Sequence, residues 1–263
     1  MTRSIRIDGC FGCEHRIEDD VLTSARMLPS PTTARHSMST PHYPSLVIEA
    51  STAAGSVALL RAGAVVQSQV VAMGASRDDA LFPAIIAVLA AADMVPADLK
   101  AIVCGAGPGS FTSLRIAAAL AKGLAHAAGC PLYSVPSLLL AAATHEVPGQ
   151  YLVHADALRD ERFALRVVIH DDGSTRADGP MTRIAISELD TEASGRRLLV
   201  LGEPPGVQDD RTVVAPRASA ILQVDDWWTH GPVSLASWEP VYGRLAEAQV
   251  QWEVAHGRAL PAQ

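Results

Sequence analysis

The segment Gly105-Ala106-Gly107-Pro108-Gly109-Ser110 is where the residue types of this chain come nearest to spelling a chemistry. It joins an apolar run, Ala101 to Cys104, to a helix-patterned run that starts near Thr112. Free N–H groups at the start of a helix attract anions, so a glycine loop there can hold phosphate. The phosphate patterns themselves are absent. No Gly, four residues, Gly-Lys-Ser/Thr run occurs, and Ser110 stands where the dinucleotide fingerprint needs its last Gly. On the residues alone, the better reading is a tight turn that lets a helix pack closely on its strand.

Other reactive residue types give weaker readings. Ser110 is not flanked as a nucleophile elbow, and no His or Asp can be tied to it. Asp156, Asp160 and Glu161 form an acidic group that reads as a solvated hairpin turn before it reads as a metal site. Cys10 and Cys13 make a lone C-x-x-C, and a zinc site needs a second pair of ligands. Trp227, Trp228 and Trp238 offer stacking surfaces for bases. Packing of a C-terminal helix against the second half of the chain is the commoner use. Cys104 and Cys130 flank the helix after the glycine loop and read as small buried hydrophobes.

The elements that must position these residues begin at Ser45. Leu46 to Ala50, Ser56 to Arg61 and Ala64 to Ala72 read as a three-stranded antiparallel meander, with turns at Ser51–Gly55 and Ala62-Gly63. Asp78 to Ala92 carries Leu81, Ile85, Val88 and Ala92 at helical spacing, with Pro83 tolerable only in the first turn or at a kink. Ala101 to Cys104 is a buried strand. The spacing predicts a helix from Thr112 to Ala128, stopped by Gly129 and Pro131. Tyr151 to Ala155 and Glu161 to His170 then repeat the opening pattern. An acid closes the first strand of each set, Glu49 in one and Asp156 in the other. Ala218 to Trp228 and Arg244 to His256 read as later helices. Strands followed by helices, twice, predict two α/β lobes with mixed sheets. The expected division is an N-terminal extension over residues 1–44, a first lobe over 45–146 and a second over 147–263. Met1 to Pro44 lacks the periodicity and apolar content of a core. It reads either as a disordered, dispensable extension or as residues upstream of a start at Met38.

Composition limits the partners. Lys and Arg number 21 against 28 Asp and Glu, a formal net charge of −7, so the chain does not present the basic surface of a protein that binds RNA by itself. No stretch is long and apolar enough to span a bilayer, and four cysteines give no disulfide framework. The default reading is a cytoplasmic protein.

Gly107-Pro108-Gly109-Ser110-Phe111-Thr112-Ser113-Leu114-Arg115 resembles the G-P-G-S-F-T-G-L-R signature of the TsaB family, with Ser113 in place of Gly. Lys122-Gly123-Leu124-Ala125 continues the likeness. Val47-Ile48-Glu49-Ala50-Ser51-Thr52 resembles the family's first hairpin, Asp156 to Ala164 its second, and Pro240-Val241-Tyr242-Gly243-Arg244 its C-terminal segment. The resemblance implies an actin-like, sugar-kinase-like ATPase fold of two RNase H-like lobes, and a non-catalytic subunit of the machinery that places threonylcarbamoyl on the tRNA adenosine beside the anticodon. In that superfamily the first hairpin holds phosphate and an acid at its start places the metal. Glu49 is one methylene longer than the usual Asp, and the turn after it lacks the Gly that lets backbone approach phosphate. The catalytic paralogue TsaD uses an H-x-x-x-H pair, which does not occur here. The resemblance therefore implies no catalytic residue, metal or cofactor in this chain. It implies TsaD and the ATPase TsaE as partners, contact with tRNA only through their complex, and pairing with a second copy when TsaD is absent. Leu81, Ile85, Arg115, Ala118, Ala121, Lys122 and Ala125 are the expected interface. The competing class is an independent small-molecule kinase or ATPase of the same superfamily.

Overall fold

The computed structural model describes residues 42–73, 80–202, 205–208, 211–242 and 255–257. The Cys10/Cys13 pair and residues 1–41 of the expected N-terminal extension lie outside them, as do Asp78, Asp79, Gly243 and residues 244–254 of the expected last helix.

The first sheet contains β1 (Ser45–Glu49), β2 (Ala54–Arg61), β3 (Ala64–Ala72), β4 (Ala101–Gly105) and β5 (Leu132–Val135) in the order β3-β2-β1-β4-β5. β1 runs antiparallel to β2 and parallel to β4. Every residue of β1 and β4 is buried, which is why both read as short unbroken apolar runs rather than as alternating ones. Helices α1 (Leu81–Ala90) and α2 (Phe111–Ala128) follow β3 and β4. Pro83 is the third residue of α1, where its missing N–H costs no helical bond. α2 ends as its sequence predicts, on Gly129 at φ 63°, whose N–H bonds back to the last turn.

The second sheet contains β6 (Gly149–Asp156), β7 (Glu161–Ile169), β8 (Thr175–Ala177), β10 (Arg197–Leu201), β11 (Gly206–Gln208) and β12 (Arg211–Val214), in the order β11-β12-β10-β6-β7-β8. β9 (Thr182–Ala185) also pairs with β7. Reading outward from β6, the sequence β8-β7-β6-β10-β12 repeats the β3-β2-β1-β4-β5 arrangement, with β7 antiparallel and β10 parallel to β6. The duplication read from two acid-ended hairpins is thus present as topology. The short helices α3 (Ser137–Ala142) and α4 (Leu189–Ala193) complete the described α structure apart from His256 and its neighbour.

One core lies between the first sheet and its two long helices. Leu46, Ile48, Val57, Leu59 and Ile102 meet Leu81, Ile85, Val88, Ala117, Ala121 and Ala125 there. The small residues of α2 let the helix sit close on the strands. The opposite face of the first sheet shares a second core with α3 and the second sheet, through Val47, Leu60, Val103, Leu140, Tyr151, Val153 and Val167. Each fully buried Leu or Ile of these clusters contributes roughly 2 kcal/mol of transfer free energy.

The C-terminal part differs from expectation. Ala218 to Trp228 is not an α-helix. Ala218–Gln223 forms a 3-10 helix whose first N–H bonds to Ser56 Oγ on β2 at 2.9 Å. The chain then returns along the first half: Val233 N–H bonds to Leu132 O at 2.8 Å and Val241 N–H to Ala106 O at 2.7 Å. The tryptophans take part in this return. Trp227 packs edge-on against Tyr133 of β5 and against Trp228, in the core that the two sheets share; the expected last helix lies outside the described residues up to residue 254.

Candidate functional site

The glycine loop and the end of β1 meet at Glu49, whose side chain has no exposed area. Its carboxylate accepts from Ser51 N–H at 2.6 Å and from the Ser137 hydroxyl at 2.8 Å. Ser137 Oγ in turn accepts from Gly107 N–H at 3.0 Å, and Ser110 N–H donates to Ser51 O at 2.9 Å. Three segments far apart in sequence are thereby tied together: the turn after β1, the loop after β4 and the start of α3. Burial pushes the Glu49 carboxyl above the ordinary range, while the hydrogen bonds from Ser51 and Ser137 pull the other way. Burial, with Glu49 nearby, also pushes the Cys104 thiol well up, so Cys104 is a packing residue and not a reactive thiolate.

The glycines are there for the chain itself. A Cβ on Gly105 would lie 1.7 Å from Glu49 Oε2, and one on Gly109 would lie 2.1 Å from the Ser51 carbonyl oxygen. Gly107 has φ +83°, and a Cβ there would lie 2.2 Å from the Val241 carbonyl oxygen. The close approaches that a phosphate-binding loop offers to a ligand are filled here by a carboxylate and two carbonyls. All three are electron-rich and repel an anion. The amides of Ala106, Gly107 and Ser110 are bonded to Val135 O, Ser137 Oγ and Ser51 O.

The rest of the signature starts α2. The Phe111 ring lies 4.7 Å from Tyr242, and the Arg115 guanidinium lies 5.2 Å from the Phe111 ring on the exposed side of the helix. Lys122 lies 5.8 Å from the Trp238 ring. Thr112 is exposed. Ser113, at the departure from the family pattern, is buried and its hydroxyl bonds to Ser110 Oγ at 3.1 Å. Pro108 is buried beside Gly107. Residues Val233, Leu235 and Trp238 pack with the α2 core, so the returning C-terminal segment covers one flank of that helix.

The expected interface residues separate into two groups. Arg115 is exposed and Lys122 half-buried on α2. Leu81, Ile85, Ala121 and Ala125 are buried in the core between the first sheet and its helices, and Ala118 is 6% exposed. A run of alanines carries no signal of which side of a helix is covered. The residues that do stand out are Phe82 and Ile86 of α1, 47% and 44% exposed. Their i, i+4 spacing is visible in the sequence but was eclipsed by the stronger Leu81/Ile85/Val88 stripe. Ser137 was also missed; nothing local marks a serine whose partner is 88 residues away.

The acidic group of the second half does not converge. Asp156 pairs with Arg162, and Glu161 Oε2 lies 2.8 Å from Arg183 Nε. Among the described residues no three His, Cys, Asp or Glu side chains are placed to hold a metal ion, and no helix is long and apolar enough to cross a membrane. His154 of β6 is 7% exposed with no partner for Nδ1. Burial first, then Arg162 and Arg211, lower its pKa to about 4.

Comparison with known proteins places this geometry. Residues 72–191 match the family model of TsaD, tRNA N6-adenosine threonylcarbamoyltransferase. An uncharacterized protein of Mycobacterium tuberculosis is 35% identical over 177 residues, covering 64% of this chain and 75% of that protein. The tRNA threonylcarbamoyladenosine biosynthesis protein TsaB of Bacillus subtilis is 37% identical over 98 residues, 37% of this chain and 43% of TsaB. The solved structure of YeaZ from Pseudomonas aeruginosa superposes with a TM-score of 0.62 at 25% identity, covering 75% of this chain and 98% of YeaZ.

Proposed function

We infer that this chain, which belongs to the TsaD/YeaZ (TsaB) family, is a non-catalytic scaffold subunit in the threonylcarbamoyl modification of tRNA adenosine. It works beside a TsaD-like transferase, with a TsaE-like ATPase joining the pair, and meets tRNA only within that assembly. The observation that carries this reading is the closed glycine loop. Where an ATPase of this architecture needs room for phosphate and an acid free to hold a metal, Glu49 is buried under Gly105 and hydrogen-bonded to Ser51 and Ser137. The same closure argues against the independent kinase or ATPase. Catalytic groups, ATP and metal belong to the partners.

The contact face for the TsaD-like partner, or for a second copy in its absence, is the outer side of α1 and α2. Phe82 and Ile86 supply apolar area, and Arg115 and Lys122 supply charge held by aromatic rings. The two lobes are read as 45–146 and 147–263, since each sheet keeps within one of them, with residues 218–241 of the second returning over the first. Co-expression with a TsaD-like subunit tests the reading. A stable complex that Phe82→Arg dissolves supports it. Tight binding of Mg-ATP by the isolated chain, with no complex formed, supports the kinase reading instead.

A further inference from the structure

Strand β3 ends the first sheet, and among the described residues no strand lies beyond it. Apart from its ladder to β2, no backbone hydrogen bond reaches residues 64–72 from the described part of the chain. Among the described residues, the outward N–H and C=O groups along this edge of about 30 Å find no backbone partner. Proteins usually blunt such an edge with lysine, proline or a covering element. β3 carries neither proline nor any charged residue, and it exposes Val66 and Val70, the latter by 56%.

The sequence of β3 is Ala-Val-Val-Gln-Ser-Gln-Val-Val-Ala, which reads the same in both directions from Ser68. An antiparallel pair of identical strands related by a two-fold axis sets residue 68 minus n against residue 68 plus n. Centred on Ser68, every residue then meets its own kind. Ser68 faces Ser68, Gln67 faces Gln69, Val66 faces Val70 and Val65 faces Val71. Valine against valine is a favourable cross-strand pair, and paired glutamine amides can donate to and accept from each other. In such a pairing any charge at the axis would confront its own copy, and β3 brings none.

We propose that the outer edge of β3 is a self-association surface, on which a second copy of this chain pairs antiparallel about Ser68 and joins two five-stranded sheets into one. The surface is separate from the α1/α2 face, so it goes beyond the partner contact described above. Its strength is limited on two counts. The β2–β3 register shifts between Leu59 and Leu60, leaving Val66 as an extra residue, and this bulge makes one position of the ladder irregular on each copy. A single strand edge also falls short of the ~800 Å² per partner of a standard interface. The dimer is therefore weak and depends on concentration.

Sedimentation velocity over a concentration series tests the proposal. The full chain shows a rise in weight-average sedimentation coefficient with concentration. Ser68→Lys sets two ammonium groups together at the axis and raises the dissociation constant at least roughly fivefold. The series is run in the Phe82→Arg background, where pairing through the α1/α2 face is lost and the association through β3 remains. Register is read by cross-linking. Residues directly opposite lie ~4.5–5.5 Å apart between Cα atoms, within reach of a disulfide. Ser68→Cys accordingly oxidises to a linked dimer faster than the unaltered chain. Val66→Cys and Val70→Cys each link poorly alone and well when mixed. A chain that stays monomeric throughout, a Ser68→Lys variant that associates as before, or Ser68→Cys linking no faster than the unaltered chain overturns the proposal.

Discussion

Ser137→Ala removes one hydroxyl, and its consequences can be worked from four atoms. Ser137 is fully buried; its hydroxyl donates to Glu49 Oε2 at 2.8 Å and accepts from Gly107 N–H at 3.0 Å. The substitution strands a backbone donor and a carboxylate lone pair where water has no access. Each orphaned group costs ~1–3 kcal/mol, with the charged partner toward the upper end. The expected loss is about 3 kcal/mol, which for a domain of this size lowers the thermal midpoint by ~6–12 °C. Equilibrium urea unfolding followed by tryptophan fluorescence reads it. Combining the change with Glu49→Gln gives a cycle. If the two residues act as one network, the double variant is less destabilised than the sum of the singles, by ~1 kcal/mol or more. Additive effects, or a Ser137→Ala cost under ~0.5 kcal/mol, would refute the claim that this triad fastens the loop shut.

Gly109→Ala forces a Cβ to within 2.1 Å of the Ser51 carbonyl. It destabilises by ~1–3 kcal/mol through backbone displacement, measured by the same unfolding assay, and weakens the partner complex in co-purification. Phe82→Arg leaves the thermal midpoint within a few degrees, since an exposed change is worth ~0.5 kcal/mol or less, yet abolishes binding of the TsaD-like subunit in pull-down. Ala121→Arg behaves oppositely, because a guanidinium at a site with no exposed area unfolds the chain outright, as circular dichroism will show. His154 sets an acid limit. Its folded pKa of about 4 lies below the ordinary value, so the unfolded chain takes up the proton first, and stability is lost as pH falls from about 6.5 toward 4. About 1–2 kcal/mol goes between pH 7 and pH 5, and His154→Gln flattens that part of the urea-midpoint profile.

The sequence was most legible where turns punctuate apolar runs. β1 to β3 are bounded by Ser51–Gly55 and Ala62-Gly63, and their spans follow closely from those residues. α2 was equally clear because Gly129 and Pro131 stop an unbroken helical run. Between Asp171 and Arg217 the reading offered no elements, although β8 to β12 and α4 lie there. Those strands are three to five residues long and mostly exposed or half-exposed, so neither alternation nor an apolar run develops. The 3-10 helix at Ala218–Gln223 has enough apolar residues for a helix but is pinned to Ser56 at its start and turned aside by Val224. At the site, the glycines announced close approach without saying to what. Glu49, Ser51 and Val241 gave the answer only once the fold had brought them together.

The central claim is that this chain supports transfer without performing it. The direct measurement is incorporation of threonine-derived label into unmodified tRNA by purified components, with ATP and bicarbonate and an enzyme supplying the threonylcarbamoyl adenylate. Labelled tRNA is expected only when this chain, the TsaD-like subunit and the TsaE-like ATPase are combined, and Glu49→Gln is expected to leave that transfer largely intact because Glu49 is structural. Transfer by this chain without the TsaD-like subunit, or transfer by the other two that is unchanged when this chain is added, contradicts the account.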